Sequence, residues 1–277
     1  MNIDTVAKEW EDQYRYGSPE ERINRARHWL PYYDLIAGAQ MNLSYDVSEE
    51  ADDFVLKLAA EDILTEGSDV LDIGCGMGSY TLPIAARVGS VTAMDVCDAA
   101  LKVMMKRTAE NGLDNVTALN ISWEEYVPDR VYDTVISSMC PAICNVEELL
   151  RMEAASRGYC VLITVIKGSY DKHRKAMMQE LELAPEGMVT EFSIYEKVLK
   201  ALGREYLTET MSYQHEYTTS LESLLRTMPV YFGIFGIDEA RSREFINDYF
   251  KRNQEDGVLH DESRMNLGMI YWRAKKG

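Results

Sequence analysis

Residues 69–78 read Asp69-Val-Leu-Asp-Ile-Gly74-Cys-Gly76-Met-Gly78, a short apolar run that passes directly into alternating glycines. A run of this length reads as a buried strand, and glycines at its end let the backbone turn tightly and approach a ligand. The amphipathic segment that follows would offer free N–H groups at a helix N-terminus. Outward from this stretch, further apolar runs at 90–94, 115–119, 132–137 and 159–165 alternate with helical patterns. One helical pattern follows Asp98 and stops at Asn111-Gly112, and another covers 146–156. Strands alternating with helices predict βαβ units and a parallel sheet.

The chain is long enough, at 277 residues, to bury a core without disulfide or metal staples, and 46% apolar with 27% charged residues is an ordinary globular balance. Its net charge of −17 repels phosphate backbones and anionic membranes, so no nucleic-acid partner is expected. The expectation of a cytoplasmic protein without membrane contact rests on the lack of a long apolar run and of a basic-then-apolar leader. Cys75, Cys97, Cys140, Cys144 and Cys160 lie in or beside apolar runs and read as reduced thiols. The Cys140/Cys144 spacing has no second Cys/His pair nearby to complete a tetrahedral site, so no metal is expected.

Residues 1–50 read as a helical cap and 51–277 as the main domain. Ser18-Pro19-Glu20-Glu21 combines a capping serine, a proline at the first helical position and a glutamate three residues after the cap. A second start is expected at Ser48, with Ala51, Phe54, Val55 and Leu58 on one face. Trp10, Tyr14, Tyr16, Trp29, Tyr32 and Tyr33 make this leader aromatic. They either pack it onto the body or form a lid together with segment 228–237. Beyond residue 167, helices are expected over 191–202, 221–228 and 239–253, an exposed or edge strand over 206–213, and a final strand at 264–272.

The glycine spacing is G-x-G-x-G, and Ser79 stands where a dinucleotide fingerprint needs its third glycine. Asp95, after the second strand, can accept hydrogen bonds from ribose hydroxyls. In Val70–Gly78 and in Thr92-Ala-Met-Asp95-Val96 the chain resembles the class I S-adenosylmethionine-dependent methyltransferases over roughly residues 50–166. The resemblance implies a Rossmann-like seven-stranded, mostly parallel α/β sheet with helices on both faces and one antiparallel strand near the edge, 206–213 and 265–272 supplying the last two strands. It implies S-adenosylmethionine as cofactor and S-adenosylhomocysteine as product. Gly74, Cys75, Gly76 and Gly78 would hold the methionyl end, Asp95 the ribose hydroxyls, Ser122, Trp123 and Glu124 the adenine, and Ser138 the sulfonium side, with Asp72 and Val96 also among the cofactor-binding residues.

Methyl transfer from a sulfonium is an in-line displacement that needs chiefly alignment. A histidine is the default base near neutral pH, and among His28, His173, His215 and His260 the one at the end of the expected sixth strand, His215, is the candidate. Ser138-Met139-Cys140-Pro141 departs from the Asn/Asp-Pro-Pro-aromatic pattern of many nucleic-acid and protein N-methyltransferases. With the negative charge, this favours a small-molecule acceptor; a monomer or homodimer is expected. A protein acceptor and a non-catalytic binding role are the alternatives.

Overall fold

The apolar runs between residues 69 and 165 form the parallel half of one mixed sheet. A computed structural model describes residues 2–14, 18–40, 49–183 and 190–275. Its elements are α1 (Ile3–Tyr14), α2 (Pro19–Gln40), α3 (Glu49–Ala60), β1 (Asp69–Ile73), α4 (Thr81–Ala85), β2 (Ser90–Asp95), α5 (Asp98–Glu110), β3 (Val116–Asn120), β4 (Tyr132–Ser138) and α6 (Val146–Ala154). They continue with β5 (Ser156–Val165), β6 (Tyr170–Asp171), α7 (Lys172–Glu180), α8 (Phe192–Ala201), β7 (Tyr206–Thr219), α9 (Leu221–Gly233), α10 (Glu239–Asn253) and β8 (Leu259–Arg273). The strand order is β3-β2-β1-β4-β5-β8, with β7 and β6 both paired to β8. β8 runs antiparallel to β5 and β7, as the resemblance implies.

The side chains of this sheet alternate between two cores. Leu71, Val135, Cys160, Leu162, Ile270 and Trp272 face α1, α6 and α8. Val70, Val91, Ile136, Val161, Ile163 and Met269 face α3, α4 and α5. Helices therefore cover both faces, and each fully buried large apolar side chain contributes about 1.5–3 kcal/mol. Trp10 of α1 is 0% exposed, donates to Thr190 Oγ1 at 3.0 Å and meets the Tyr195 ring edge-on. The capping box at α2 forms in both directions: Ser18 N–H donates to Glu21 Oε2 and Glu21 N–H to Ser18 Oγ. Ser48, Tyr16 and the side chain of Tyr14 lie outside the described residues.

Among the described residues the sheet has eight strands where seven are expected. The additional one is β6, two residues paired with Arg264 and Ser263 of β8. It exists because β7 and β8 are longer than their apolar patterns: they pair from Tyr206↔Trp272 to Thr219↔Leu259, whereas β5 ends at Val165↔Leu267. The hairpin thus projects past the C-terminal end of β5. Helices α9 and α10, inserted between its strands, and α7 build a third core around Met177, Met228, Tyr231, Phe232 and Tyr249 on that projection.

Between β4 and β5 the register shifts, with Tyr132↔Ser156 followed by Thr134↔Tyr159. Gly158 sits at this irregularity, and a Cβ there would lie 2.4 Å from the Asp133 carbonyl oxygen. Backbone on backbone has no room to relax, so Gly158→Ala is expected to cost about 1–3 kcal/mol and lower the thermal midpoint by several degrees. Gly233→Ala, where nothing lies within 4 Å of the added carbon, should be neutral or stabilising. Equal melting temperatures for the two variants would refute this account of the β4–β5 junction.

Candidate active site

The chain winds from β1 to β3 on one side of the sheet and returns to β4 and β5 on the other, leaving a crevice at the C-terminal ends of β1 and β4. At this edge Gly74 N–H and Cys75 N–H both donate to the Met94 carbonyl, at 2.8 and 3.0 Å. The Asp95 carboxylate accepts Gly76 N–H on one oxygen and Cys97 N–H on the other, each at 2.8 Å. The Asn120 amide donates to the carbonyls of Asp95 and Val96, at 3.0 Å each. Three strand ends are thereby tied together. The fourth is tied by contact: a Cβ on Gly74 would fall 2.2 Å from Cys140 Sγ. Gly76, at φ +53°, has no atom within 4 Å of the corresponding position and leaves its surface open.

The expected site residues divide by how their polar groups are used. Gly74, Cys75, Gly76 and Gly78 form the turn, and Asp95 and Val96 follow it across the crevice. Asp72 is 1% exposed and accepts the Thr81 hydroxyl at 2.6 Å, fastening α4 to β1. Ser122 is occupied within its own turn, where its hydroxyl donates to Glu125 Oε2 and accepts Glu125 N–H. Glu124 is held by Arg22 at 3.4 Å. Trp123 is 2% exposed, and neither its indole Nε1 nor the buried Ser138 hydroxyl has a hydrogen-bond partner among the described residues. His215 is exposed on the projecting part of β7, opposite Ser263.

Helix α2 brings residues to this edge that local sequence pattern does not assign. Tyr33 is 37% exposed, yet its hydroxyl pKa is raised by burial and then by neighbouring Cys140 and Asp95. Cys97 Sγ lies 3.6 Å from Asp34. Trp29, Tyr32 and Tyr33 form a ring cluster with Tyr231 and Phe235, centroids 5.4–6.4 Å apart. The leader and segment 228–237 therefore do pack on each other. Arg151 stacks over the Trp123 ring at 4.2 Å and donates to the carbonyls of Trp123 and Tyr126.

This donor set fits S-adenosylmethionine. A carboxylate offers about four acceptor positions, so Asp95 has capacity beyond its backbone bonds for ribose hydroxyls. Gly76 leaves an open backbone cradle, and an unpartnered buried indole N–H and hydroxyl flank the crevice, where buried polar groups ordinarily find partners. Cysteine nucleophilic chemistry has little support: burial pushes the Cys140 and Cys144 thiols up to about 12, so they stay protonated and inert near neutral pH. Among the described residues no three His, Cys, Asp or Glu side chains converge as metal ligands.

Burial also pushes the Asp72 carboxyl up to about 7, partly offset by the Thr81 bond and reinforced by Asp95. Its unfolded value is near 3.9, so the folded state binds the proton more tightly. The stabilising contribution is complete below the unfolded value and is lost as pH rises towards and through 7. Asp72→Asn keeps an acceptor for Thr81 and removes the titration. Its stability relative to the parent, read from denaturant midpoints, should be greater at pH 8 than at pH 5. A pH-independent difference would contradict the buried, proton-binding carboxyl.

Residues 70–157 match the family described as a methyltransferase domain. The chain is 28% identical over 113 residues to a tRNA/tmRNA (uracil-C(5))-methyltransferase of Azotobacter vinelandii, covering 41% of this chain and 26% of that protein. It spans about a quarter or less of the length of the first curated relatives it matches. An uncharacterized protein of Haemophilus influenzae is 22% identical over 211 residues, covering 75% of this chain and 76% of the other. Magnesium protoporphyrin IX methyltransferase from Synechocystis PCC 6803 with bound SAH superposes with a TM-score of 0.51 at 14% identity, over 88% of this chain and 98% of that one. With the sheet order and the glycine edge, the match over residues 70–157 marks that part of the chain as similar to a methyltransferase domain.

Proposed function

We propose that the protein transfers a methyl group from S-adenosylmethionine to a small-molecule acceptor. The observation that carries this reading is α2, whose Asp34 lies 3.6 Å from Cys97 beside Asp95 and whose Trp29, Tyr32 and Tyr33 rings cluster with Tyr231 and Phe235. An edge flanked by aromatic rings suits a compact acceptor better than a polymer surface. The net charge of −17 disfavours RNA, although several partial relatives are named as tRNA methyltransferases. No helix among the described residues is long and apolar enough to cross a membrane.

The bound cofactor would supply an electrophilic methyl group on a sulfonium. Asp95 and the Gly74–Gly78 turn orient it, and the aromatic cluster of α2 and α9 excludes water and shapes the acceptor side. Holding reactants in line accounts for up to about 7–11 kcal/mol of barrier reduction, so the edge needs no elaborate catalytic group. Where the acceptor carries a proton, His215 is the base of this proposal.

Calorimetry should show saturable binding of S-adenosylmethionine and S-adenosylhomocysteine and none of NAD; binding of NAD alone would overturn the cofactor assignment. With methyl-labelled cofactor and a cell extract, label should accumulate in material that passes an ultrafilter. Label confined to retained RNA or protein would identify a polymer acceptor instead. His215→Ala should lower turnover by about 10²–10⁴-fold with unchanged S-adenosylhomocysteine affinity, and an unaltered rate would remove His215 from the mechanism.

A further inference from the structure

The loop expected to hold the adenine is anchored from outside. Glu124 and Glu148 have side chains 12% and 8% exposed, and both are reached by the guanidinium of Arg22, itself 8% exposed. Arg22 Nε lies 3.4 Å from Glu124 and Nη2 lies 2.7 Å from Glu148. Glu148 in turn takes Arg151 at 2.9 Å, and Arg151 clamps the loop by stacking on Trp123 and donating to two of its carbonyls. Twelve residues further along α2, about 18 Å at helical rise, Asp34 lies 3.6 Å from Cys97 Sγ. One helix therefore touches the loop after β3 at one end and the start of α5, just after β2, at the other.

We infer that Arg22 is a positioning residue for the cofactor, fixing Glu124 and, through Glu148 and Arg151, Trp123. This rests on the reading that the crevice binds S-adenosylmethionine. The role needs arginine: its planar fork presents two nitrogens to two carboxylates, whereas lysine brings the same charge on one nitrogen. Coupling of this kind is reciprocal. If Arg22 holds the loop for the cofactor, the cofactor holds α2 against the loop.

The test uses the full chain and S-adenosylhomocysteine as probe. Arg22→Lys should weaken its binding about tenfold, within the usual range for coupled sites, and Glu124→Gln should weaken it in the same direction. The control is Arg204→Lys at the comparably buried Arg204–Glu153 pair, side chains 13% and 5% exposed, which should lower the melting temperature and leave that affinity within about twofold. Probe binding should slow amide exchange across residues 19–40 in the parent and much less in Arg22→Lys. Parent-like affinity and α2 protection in both loop variants, whatever their melting temperatures, would reduce Arg22 to a structural staple. Failure of the unmodified protein to bind S-adenosylhomocysteine would instead overturn the cofactor reading itself, and the inference with it.

Discussion

A single carboxylate organises the functional edge. Asp95 receives one backbone N–H from the glycine turn after β1 and another from the start of α5, at 2.8 Å each. Burial raises its pKa, and those backbone bonds pull the other way. Charge-assisted hydrogen bonds in a desolvated setting are among the stronger polar contacts in a protein. They fix the turn's conformation, in which Gly74 passes against Cys140 and Gly76 stays open. Lengthening the side chain or adding a Cβ at Gly74 would disturb the same geometry from opposite sides. The strands β1, β2 and β4 supply its framework, and helix α2 closes over it.

The long hairpin determines what lies opposite that edge. β8 is clamped between β5 and β7 over its apolar half, where Leu267, Met269, Ile270, Tyr271 and Trp272 alternate between the two cores. Its other half has no β5 beside it and gains its partners from β6 and from the helices carried between the hairpin strands. Trp29 and Tyr32 of α2 pack against this third core. The aromatic leader is thus divided. Trp10 belongs to the body of the sheet, and the three aromatic residues of α2 belong to the cap and to the crevice beneath it.

The strand ends, the glycine turn and Asp95 were legible because each is a local signal: an apolar run, a spacing, an acidic residue after a strand. Asp72 shows what adjacency leaves out. It precedes the glycines and reads as a ligand contact, yet strand alternation puts it with Val70 under α4, where Thr81 takes its carboxylate. Glu124 shows the complementary limit. Its partner Arg22 is 102 residues away, and no period or motif links them. The last strands extend beyond their apolar patterns because the projecting half of β7 is polar on both faces, as in Gln214-His215-Glu216, and is held by pairing with β8.

The placement of arginines gives the charge imbalance a consequence at the site. Arg22, Arg151 and Arg204 are engaged with buried or half-buried carboxylates at junctions between layers. These cations neutralise interior acids, so the excess of 46 Asp and Glu over 29 Lys and Arg is carried mainly by the surface. Such a surface raises the local concentration of cations and lowers that of anions. S-adenosylmethionine carries a sulfonium and an ammonium against one carboxylate and is a net cation, whereas its demethylated product has lost the sulfonium charge. The same field that repels a phosphate backbone therefore favours the methyl donor over the spent nucleoside.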